Sequence, residues 1–282
     1  MTYRDLMWKT LPIERLDKET PSLIDPEISE YIQIKKDAIE INAQNIYYRD
    51  LNDLIKHVAK WPANKIILNN ITGQRYIGTS LRRKIEIEIN GTPGNDLAAF
   101  MDGPKITVYG DVQDGCGNTM SQGEIIVHGS AGDVTGYGMR GGNIFIRDNI
   151  GYRAGIHMKE YKNLKPNIVV GGTAVDFLGE YMAGGVLAVL GLNLGENKTH
   201  DAKYVGTGMH GGVIYIHGKV THTGKEVETR NLDEQDNKLL RELVNQYCKY
   251  FGTHKNVEEI LGQDFVKLIP VSTRPYGRLY AY

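Results

Sequence analysis

Asp114 and Asp133 are the residues of this chain best placed by type and spacing for acid–base chemistry. Each stands six residues before a methionine, Met120 and Met139, and Asp176 stands six before Met182. If the chain repeats with its methionines, the two carboxylates share a column one repeat apart, at ~5 Å on the spacing of neighbouring strands. A pair of carboxyl groups at about 5 Å can cleave a glycosidic bond with retention. The same column also reads Asn95 and Tyr152. An aspartate can instead close a turn with its side chain, and the column as a whole fits turn chemistry better than one active site.

Thiol chemistry would need a thiolate beside a histidine. Cys116 could meet His128 or His157, yet nothing in the sequence orients such a pair, and Cys116 occupies a small-residue turn slot. Cys248 lies in a helical pattern and reads as packing. The eight histidines show no H-E-x-x-H or comparable metal spacing. His128 and His217 follow their strands by one offset, four repeats apart, which is too far for one metal site. Gly115-Cys-Gly117 and Gly136-Tyr-Gly138 resemble pieces of a dinucleotide fingerprint. That fingerprint opens a helix, whereas here a strand follows each time. A row of methionines can bind soft metals, but in an apolar repeat it reads as core.

The elements that must position these residues are set by that row. Met101, Met120, Met139 and Met158 are each 19 residues apart, and Met182 and Met209 follow after 24 and 27. Five residues after most of them comes a short apolar strand: Ile106–Val108, Ile125–Val127, Ile144–Ile146, Leu187–Val189 and Ile214–Ile216. Ile168–Val170 comes later because five residues are inserted within Lys159–Lys165, and a second insertion falls within Leu192–Tyr204. Ile85–Ile87 begins the set. Of the 33 glycines, all but Gly252, Gly262 and Gly277 lie between Gly73 and Gly224. They keep phase with the methionines, as in Gly123, Gly142, Gly185 and Gly212. Glycine supplies positive φ and close approach at corners.

A repeat of roughly 20 residues points to a solenoid, and three-residue strands with glycine corners point to a right-handed parallel β-helix of about seven rungs. No rung can bury its apolar face alone, so stability comes from stacking. The first and third residues of each strand should point inward, and the methionines should form an inward ladder.

A formal net charge of −1 leaves no electrostatic footprint for nucleic acid. No apolar run is long enough to span a membrane, and Met1–Trp8 has no signal-peptide pattern. Two cysteines are too few for a disulfide framework or an iron–sulfur cluster. A reduced, cytoplasmic setting is the simplest expectation.

Four segments follow. Residues 1–45 read as an irregular arm with a helix after Asp25-Pro26. Residues 46–70 read as a cap for the open end of the coil, with a helix from Asp50 to Lys60 that Asp50 caps and a strand at Ile66–Leu68. Residues 71–224 are the coil. Residues 225–282 hold a helix within Leu232–Phe251, capped by Asp233 and stopped by Gly252. A short helix at Val257–Leu261, a strand at Phe265–Ile269 and an aromatic tail with Tyr276, Tyr280 and Tyr282 complete it. The two insertions are the expected contact loops.

Certain stretches carry a family resemblance: Tyr48-Arg-Asp-Leu-Asn52, Asn70-Ile-Thr-Gly-Gln-Arg-Tyr-Ile-Gly78, Ile89-Asn-Gly-Thr-Pro-Gly-Asn-Asp96, Gly155-Ile-His-Met-Lys-Glu-Tyr161 and Gly206-Thr-Gly-Met-His-Gly-Gly212. From about Ile46 to Ile269 the chain resembles the C-terminal β-helix domain of the glutamate synthase large subunit (the GXGXG domain), and its stand-alone versions still more. The formylmethanofuran dehydrogenase chain with a similar glycine coil looks like a more distant relative. The resemblance implies a scaffold without catalytic, cofactor-binding or metal-binding residues of its own. Glutamine amidotransfer and FMN-dependent amination of 2-oxoglutarate would fall to partner subunits, an amidotransferase and an FMN-binding synthase with an iron–sulfur cluster. A homo-oligomer is a further expectation. The alternatives are a polysaccharide-acting β-helix enzyme that uses Asp114 and Asp133, and a scaffold of the formylmethanofuran dehydrogenase type.

Overall fold

The computed structural model describes residues 30–195, 199–253, 255–262 and 264–273. The helix expected after Asp25-Pro26, the aromatic tail, and Glu196 and Lys198 of the second insertion lie outside them. The core is a parallel β-solenoid of about eight turns. Nine strands pair in parallel, each with the next: β2 (Ala38–Asn42), β3 (Lys65–Thr72), β4 (Glu86–Thr92), β5 (Asp102–Tyr109), β6 (Gln122–Val127), β7 (Gly142–Ile146), β8 (Pro166–Val170), β9 (Ala183–Val189) and β11 (Gly211–His217). The register runs Ile87, Ile106, Ile125, Ile144, Ile168, Leu187, Ile214. From Ile106 onward it is the register read from the methionines, whereas the first expected strand, Ile85–Ile87, is two residues early, since Ile87 and Ile89 pair with Ile106 and Val108.

The coil is therefore longer than the expected seven rungs, and it starts at Ala38 rather than near Ile71. The extra rungs at its start are β2, within residues 1–45, and β3, whose strand was expected in the cap. In β2, Ile39 and Ile41 are buried on either side of half-buried Glu40, as Ile87 and Ile89 are on either side of Glu88 in β4. Helix α1 (Tyr48–Val58) joins β2 to β3. It buries Leu51, Leu54, Ile55 and Val58 in the same core as the rungs. So α1 is the outer wall of the first turn, and the end-cap expectation is corrected. The end is closed instead by β1 (Ile32–Ile34), paired antiparallel to β2. Asp50 does not cap α1 either. The cap residue is Tyr47, without a side-chain hydrogen bond, and Asp50 sits in the first turn.

The other end is closed in the same way. β14 (Phe265–Pro270) pairs antiparallel to β11, and β13 (Val227–Arg230) pairs antiparallel to β14. β13 carries Glu228 and Arg230, charges that discourage strand addition at an edge. The two-stranded sheet of β10 (Thr199–His200) and β12 (Lys219–Val220) organises the second insertion.

Alternation holds as expected. Ile125 and Val127 point into the solenoid, while the middle residues of later rungs form a second core. That core lies between the sheet and helix α2 (Glu234–Phe251), and takes in Phe145, Val169, Ala188 and Tyr215. Asp233 caps α2 through a capping box with Asp236, and Gly252 ends it in the left-handed conformation. Helix α3 (Val257–Leu261) adds Ile260. In the early rungs the middle residues are Glu40, Ile67, Glu88 and Thr107, all of them only half-buried.

Candidate functional site: the left-handed corner face

Each turn of the coil rounds a corner just before its methionine. There the backbone alternates in hand. At Gly115, Gly117 and Thr119, the residues five, three and one before Met120, φ is 73°, 70° and 53°. The pattern repeats at Val134, Gly136 and Gly138, at Arg153, Gly155 and His157, and at Phe177, Gly179 and Tyr181. It also recurs at Tyr204, Gly206 and Gly208. Alternation aims successive amides up and down the rod, so each corner is a hydrogen-bonded ladder in its own right. Gly115 N donates to Asp133 O and Thr119 N to Tyr137 O on the next rung, at 2.9 and 2.7 Å, while Gly117 N donates back to Leu97 O at 2.8 Å. Side chains other than glycine cost about 1–2 kcal/mol at such a φ.

The methionines close the inner side of this ladder. All six, from Met101 to Met209, are fully buried. Each glycine that follows is fitted to the methionine of the rung before it. A Cβ at Gly123 would lie 3.0 Å from Met101 Cε, at Gly142 2.4 Å from Met120 Cε, at Gly185 3.1 Å from Met158 Cε, and at Gly212 2.5 Å from Met182 Cε. The methionine row is core, with no sulfur presented to solvent.

The aspartate column lies along one edge of the corner. Asp114 Oδ1 accepts the amide of Asp133 at 2.9 Å, Asp133 Oδ1 that of Tyr152 at 2.8 Å, and Asp176 Oδ1 that of Lys203 at 2.8 Å. The same oxygens are wedged against the next turn, since a Cβ at Gly132 would lie 2.4 Å from Asp114 Oδ1 and one at Gly151 2.4 Å from Asp133 Oδ1. The geometry gives each carboxylate the work of closing the following turn, which is the structural reading of the column.

The structure does not bring Cys116 to a histidine. Cys116 occupies the expected turn and faces the core from it, in a column with Leu97, Thr135 and Ala154. Burial pushes its thiol up to about 12. His128 is on the outside, stacked on Tyr109 and edge-on to Phe251 at 4.9 and 5.1 Å. His157 packs between Tyr137 and Tyr181. Cys248 is half-buried and accepts from the Thr253 hydroxyl at 3.4 Å. Thiol titration of the native protein should therefore label Cys248 alone, with Cys116 reacting only on unfolding. Rapid labelling of Cys116 in the folded chain would contradict this packing.

His217, four rungs from His128, ends β11 beside Phe265. His200, within the second insertion, is buried and places Nε2 2.7 Å from His217 O. That loop is thus partly inside the protein rather than wholly a surface contact. Burial holds His57, His128, His200 and His217 below the ordinary imidazole range. The unfolded chain takes up these protons as pH falls through about 6.5, while the folded chain resists them. Stability should therefore be full above that pH and fall as pH drops below it. Urea midpoints between pH 7.5 and 5.5 measure the slope, and H128Q/H217Q should flatten it.

One feature of the corner went unread in the sequence. Tyr76, Phe100, Tyr137, Tyr152, Tyr181 and Tyr204 are all exposed, and all stand one, two, five or six residues before a methionine or, for Tyr76, before Leu81. His157 stacks on Tyr181 at 5.3 Å and meets Tyr137 edge-on at 5.9 Å between ring centroids. Phe177 and Tyr204 stack at 4.9 Å, with Arg153 over Phe177 at 4.4 Å. Arg153 also pairs with Glu180 at 2.9 Å. The offset from the methionine was the available signal. The Lys159–Lys165 insertion, tied by a Tyr161–Leu164 bridge, flanks this face. At the β2 end lies a cleft of about 540 Å³ lined by Tyr47, Tyr48, Arg49 and Tyr76.

A parallel β-solenoid with a corner built from alternating left-handed residues defines the class of protein. The model of the GXGXG motif family matches residues 50–271, and the chain belongs to that family, whose domain forms the C-terminal part of the glutamate synthase large subunit. An uncharacterized protein of Methanocaldococcus jannaschii is 44% identical over 250 residues, which cover 86% of this chain and 96% of that protein. Among the described residues no helix is long and apolar enough to cross a membrane.

Proposed function

We propose that this chain is a non-catalytic scaffold subunit of a glutamate synthase-like complex. Glutamine amidotransfer and FMN-dependent amination of 2-oxoglutarate would be carried out by an amidotransferase subunit and an FMN-binding, iron–sulfur synthase subunit. The observation that carries the reading is the family match over residues 50–271, since the matched domain belongs to an enzyme of that chemistry. The internal use of the polar groups supports it. Asp114, Asp133 and Asp176 bind backbone amides of the next turn, and Cys116 is buried with a raised pKa. A cytoplasmic setting goes with the same reading.

The test is a native pull-down of the full chain from its source, with absorbance and mass spectrometry on what accompanies it. A yellow assembly containing an amidotransferase and a flavin protein is the expected result. Recovery with the other subunits of a formylmethanofuran dehydrogenase would move the scaffold to a different complex. A colourless chain that cleaves a carbohydrate panel, and loses cleavage in D114N or D133N, would replace the proposal with an enzyme.

A further inference from the structure

We propose that the cleft between the start of α1 and the first corner of the coil binds a nucleoside monophosphate whose base carries an exocyclic amino group. The site does not depend on the scaffold reading.

The cleft, of about 540 Å³, has the size of a small-molecule site. Its walls come from two elements. α1 supplies Tyr48, Arg49 and Asn52, with Tyr47 just before it, and the corner supplies Tyr76 and Thr79. The buried part of this lining is left incomplete by the chain itself. Asn52 is 8% exposed, and its Nδ2 donates to Tyr48 O and Arg75 O, both at 2.7 Å. Two carbonyl acceptors fix which way the amide faces. Oδ1 is therefore the atom left over, and no described residue donates to it. Thr79 Oγ1 is buried and has no hydrogen-bond partner among the described residues either. Buried polar groups are normally paired, and a ligand with an N–H would pair these. An amino group on a flat base donates to Asn52 Oδ1, while the Thr79 hydroxyl, which can donate or accept, serves the ring nitrogen beside it.

The rest of the cleft fits the other parts of such a ligand. Tyr47–Tyr48 and Tyr48–Tyr76 have ring centroids 4.6 and 6.0 Å apart, tilted at 55° and 48°. Tyr47 and Tyr76 stay 57% and 41% exposed, so both offer surface on which a base can stack. Tyr47 gives α1 no side-chain cap, which leaves the first amides of the helix to an anion. Arg49 stands at that end. Its Nε donates to the Tyr48 hydroxyl at 3.2 Å, and with Arg75 it holds that hydroxyl below the ordinary tyrosine range. Asp50 and Asp53 also line the cleft, as does Lys56. Arg49, Lys56 and Arg75 outnumber the two carboxylates by one, a balance that suits one phosphate and works against a chain of them.

The experiment is isothermal titration calorimetry of the full chain with adenosine monophosphate, adenosine and ribose 5-phosphate, each variant first checked for native circular dichroism. Adenosine monophosphate should bind at one site per chain, about tenfold or more tighter than either part of it. Y76G, which suits the φ of 63° there, should weaken the monophosphate and adenosine alike, by about tenfold. R49Q should weaken the monophosphate by about tenfold and leave adenosine unchanged. T79V removes a hydroxyl without a partner in the chain, so its melting midpoint should hold or rise while binding falls. No saturable binding of adenosine monophosphate overturns the proposal. So does binding that ribose 5-phosphate matches and Y76G leaves alone, which would be an adventitious anion only. A T79V chain that melts earlier and binds normally would show the hydroxyl serving the fold, and would overturn it as well.

Discussion

Replacing Gly142 with alanine should cost about 3–5 kcal/mol of folding stability, while the same change at Gly73 should cost only about 1–2 kcal/mol. The two glycines have nearly the same backbone, with φ of 83° and 85°, so the conformational penalty is shared. They differ in what a methyl group would meet. At Gly73 nothing lies within 4 Å. At Gly142 the Cβ would lie 2.7 Å from Gly123 O and 2.4 Å from Met120 Cε. The methionine can swing aside, because its thioether is flexible. The carbonyl cannot, because it belongs to the adjoining rung. Urea denaturation of both variants gives the comparison, with an unchanged m-value as the condition for reading it as stability. A double variant with M120A should cost less than the sum of its parts, since the sites are in contact. Equal losses at Gly142 and Gly73 would mean that φ alone selects glycine here and that the fit to the methionine ladder is incidental.

The same contrast shows what could be read from the sequence. The rungs from Ile106 onward were legible because the spacing of the methionines is strict and a buried strand needs only a short apolar run. Before Met101 there is no methionine to set the phase, and the strand expected at Ile85–Ile87 is centred two residues later. The two insertions were legible as interruptions of that spacing. The rung at Ala38–Asn42 was not found, because a helix, α1, stands in for its corner and brings neither glycine nor methionine. Its alternating Ile39-Glu40-Ile41 nevertheless matches Ile87-Glu88-Ile89, with which it shares a sheet through β3. The alternating backbone hand at the corners was legible only where glycine occupied the position. At Val134, Phe177 and Tyr181 the conformation is imposed by the ladder of amides, and local preference would have argued against it. The cover that α2 gives to the sheet was written in the middle strand position. That position runs Glu88, Thr107, Ile126, Phe145, Val169, Ala188, Tyr215, polar where solvent reaches it and apolar where the helix lies. The aspartates show the reverse case. Their column was visible, but whether a carboxylate serves a substrate or the next turn depends on whether an amide reaches it, and in this coil one does.

Removing the Asp236 carboxylate should detach α2 from the sheet. Asp236 is buried, and it accepts from the Tyr215 hydroxyl at 2.5 Å, from Lys267 Nζ at 2.5 Å and from the Asp233 amide at 2.8 Å. It therefore ties the first turn of α2 to β11 and β14 at once. In D236A the Tyr215 hydroxyl loses its acceptor while Tyr215 stays 1% exposed. Lys267 keeps only Asp233, at 3.4 Å. Leaving such groups unpaired should cost about 2–4 kcal/mol, the lower part of the range for a broken buried pair because Lys267 retains some contact with water. The effect should be local first. Hydrogen exchange should quicken in α2 and in the middle positions of β7 to β9, where Phe145, Val169 and Ala188 lie beneath the helix, while the inward ladder of β3 to β5 stays protected. Y215F in the same chain should reduce the loss, since it removes the group left without a partner. Burial pushes the Asp236 carboxyl up, but the Asp233 amide, Lys267 and Tyr215 outweigh it and hold it below the usual carboxylate range. Its contribution is thus present above the unfolded value of about 3.9 and is lost as pH falls through the lower folded value. That window lies well below the one set by the histidines. The wild-type chain should show two separate acid steps, and D236A should lack the lower one. If exchange instead quickens uniformly along the rod, α2 and the coil unfold as one unit, and the second core is as much a part of the solenoid as the methionine ladder.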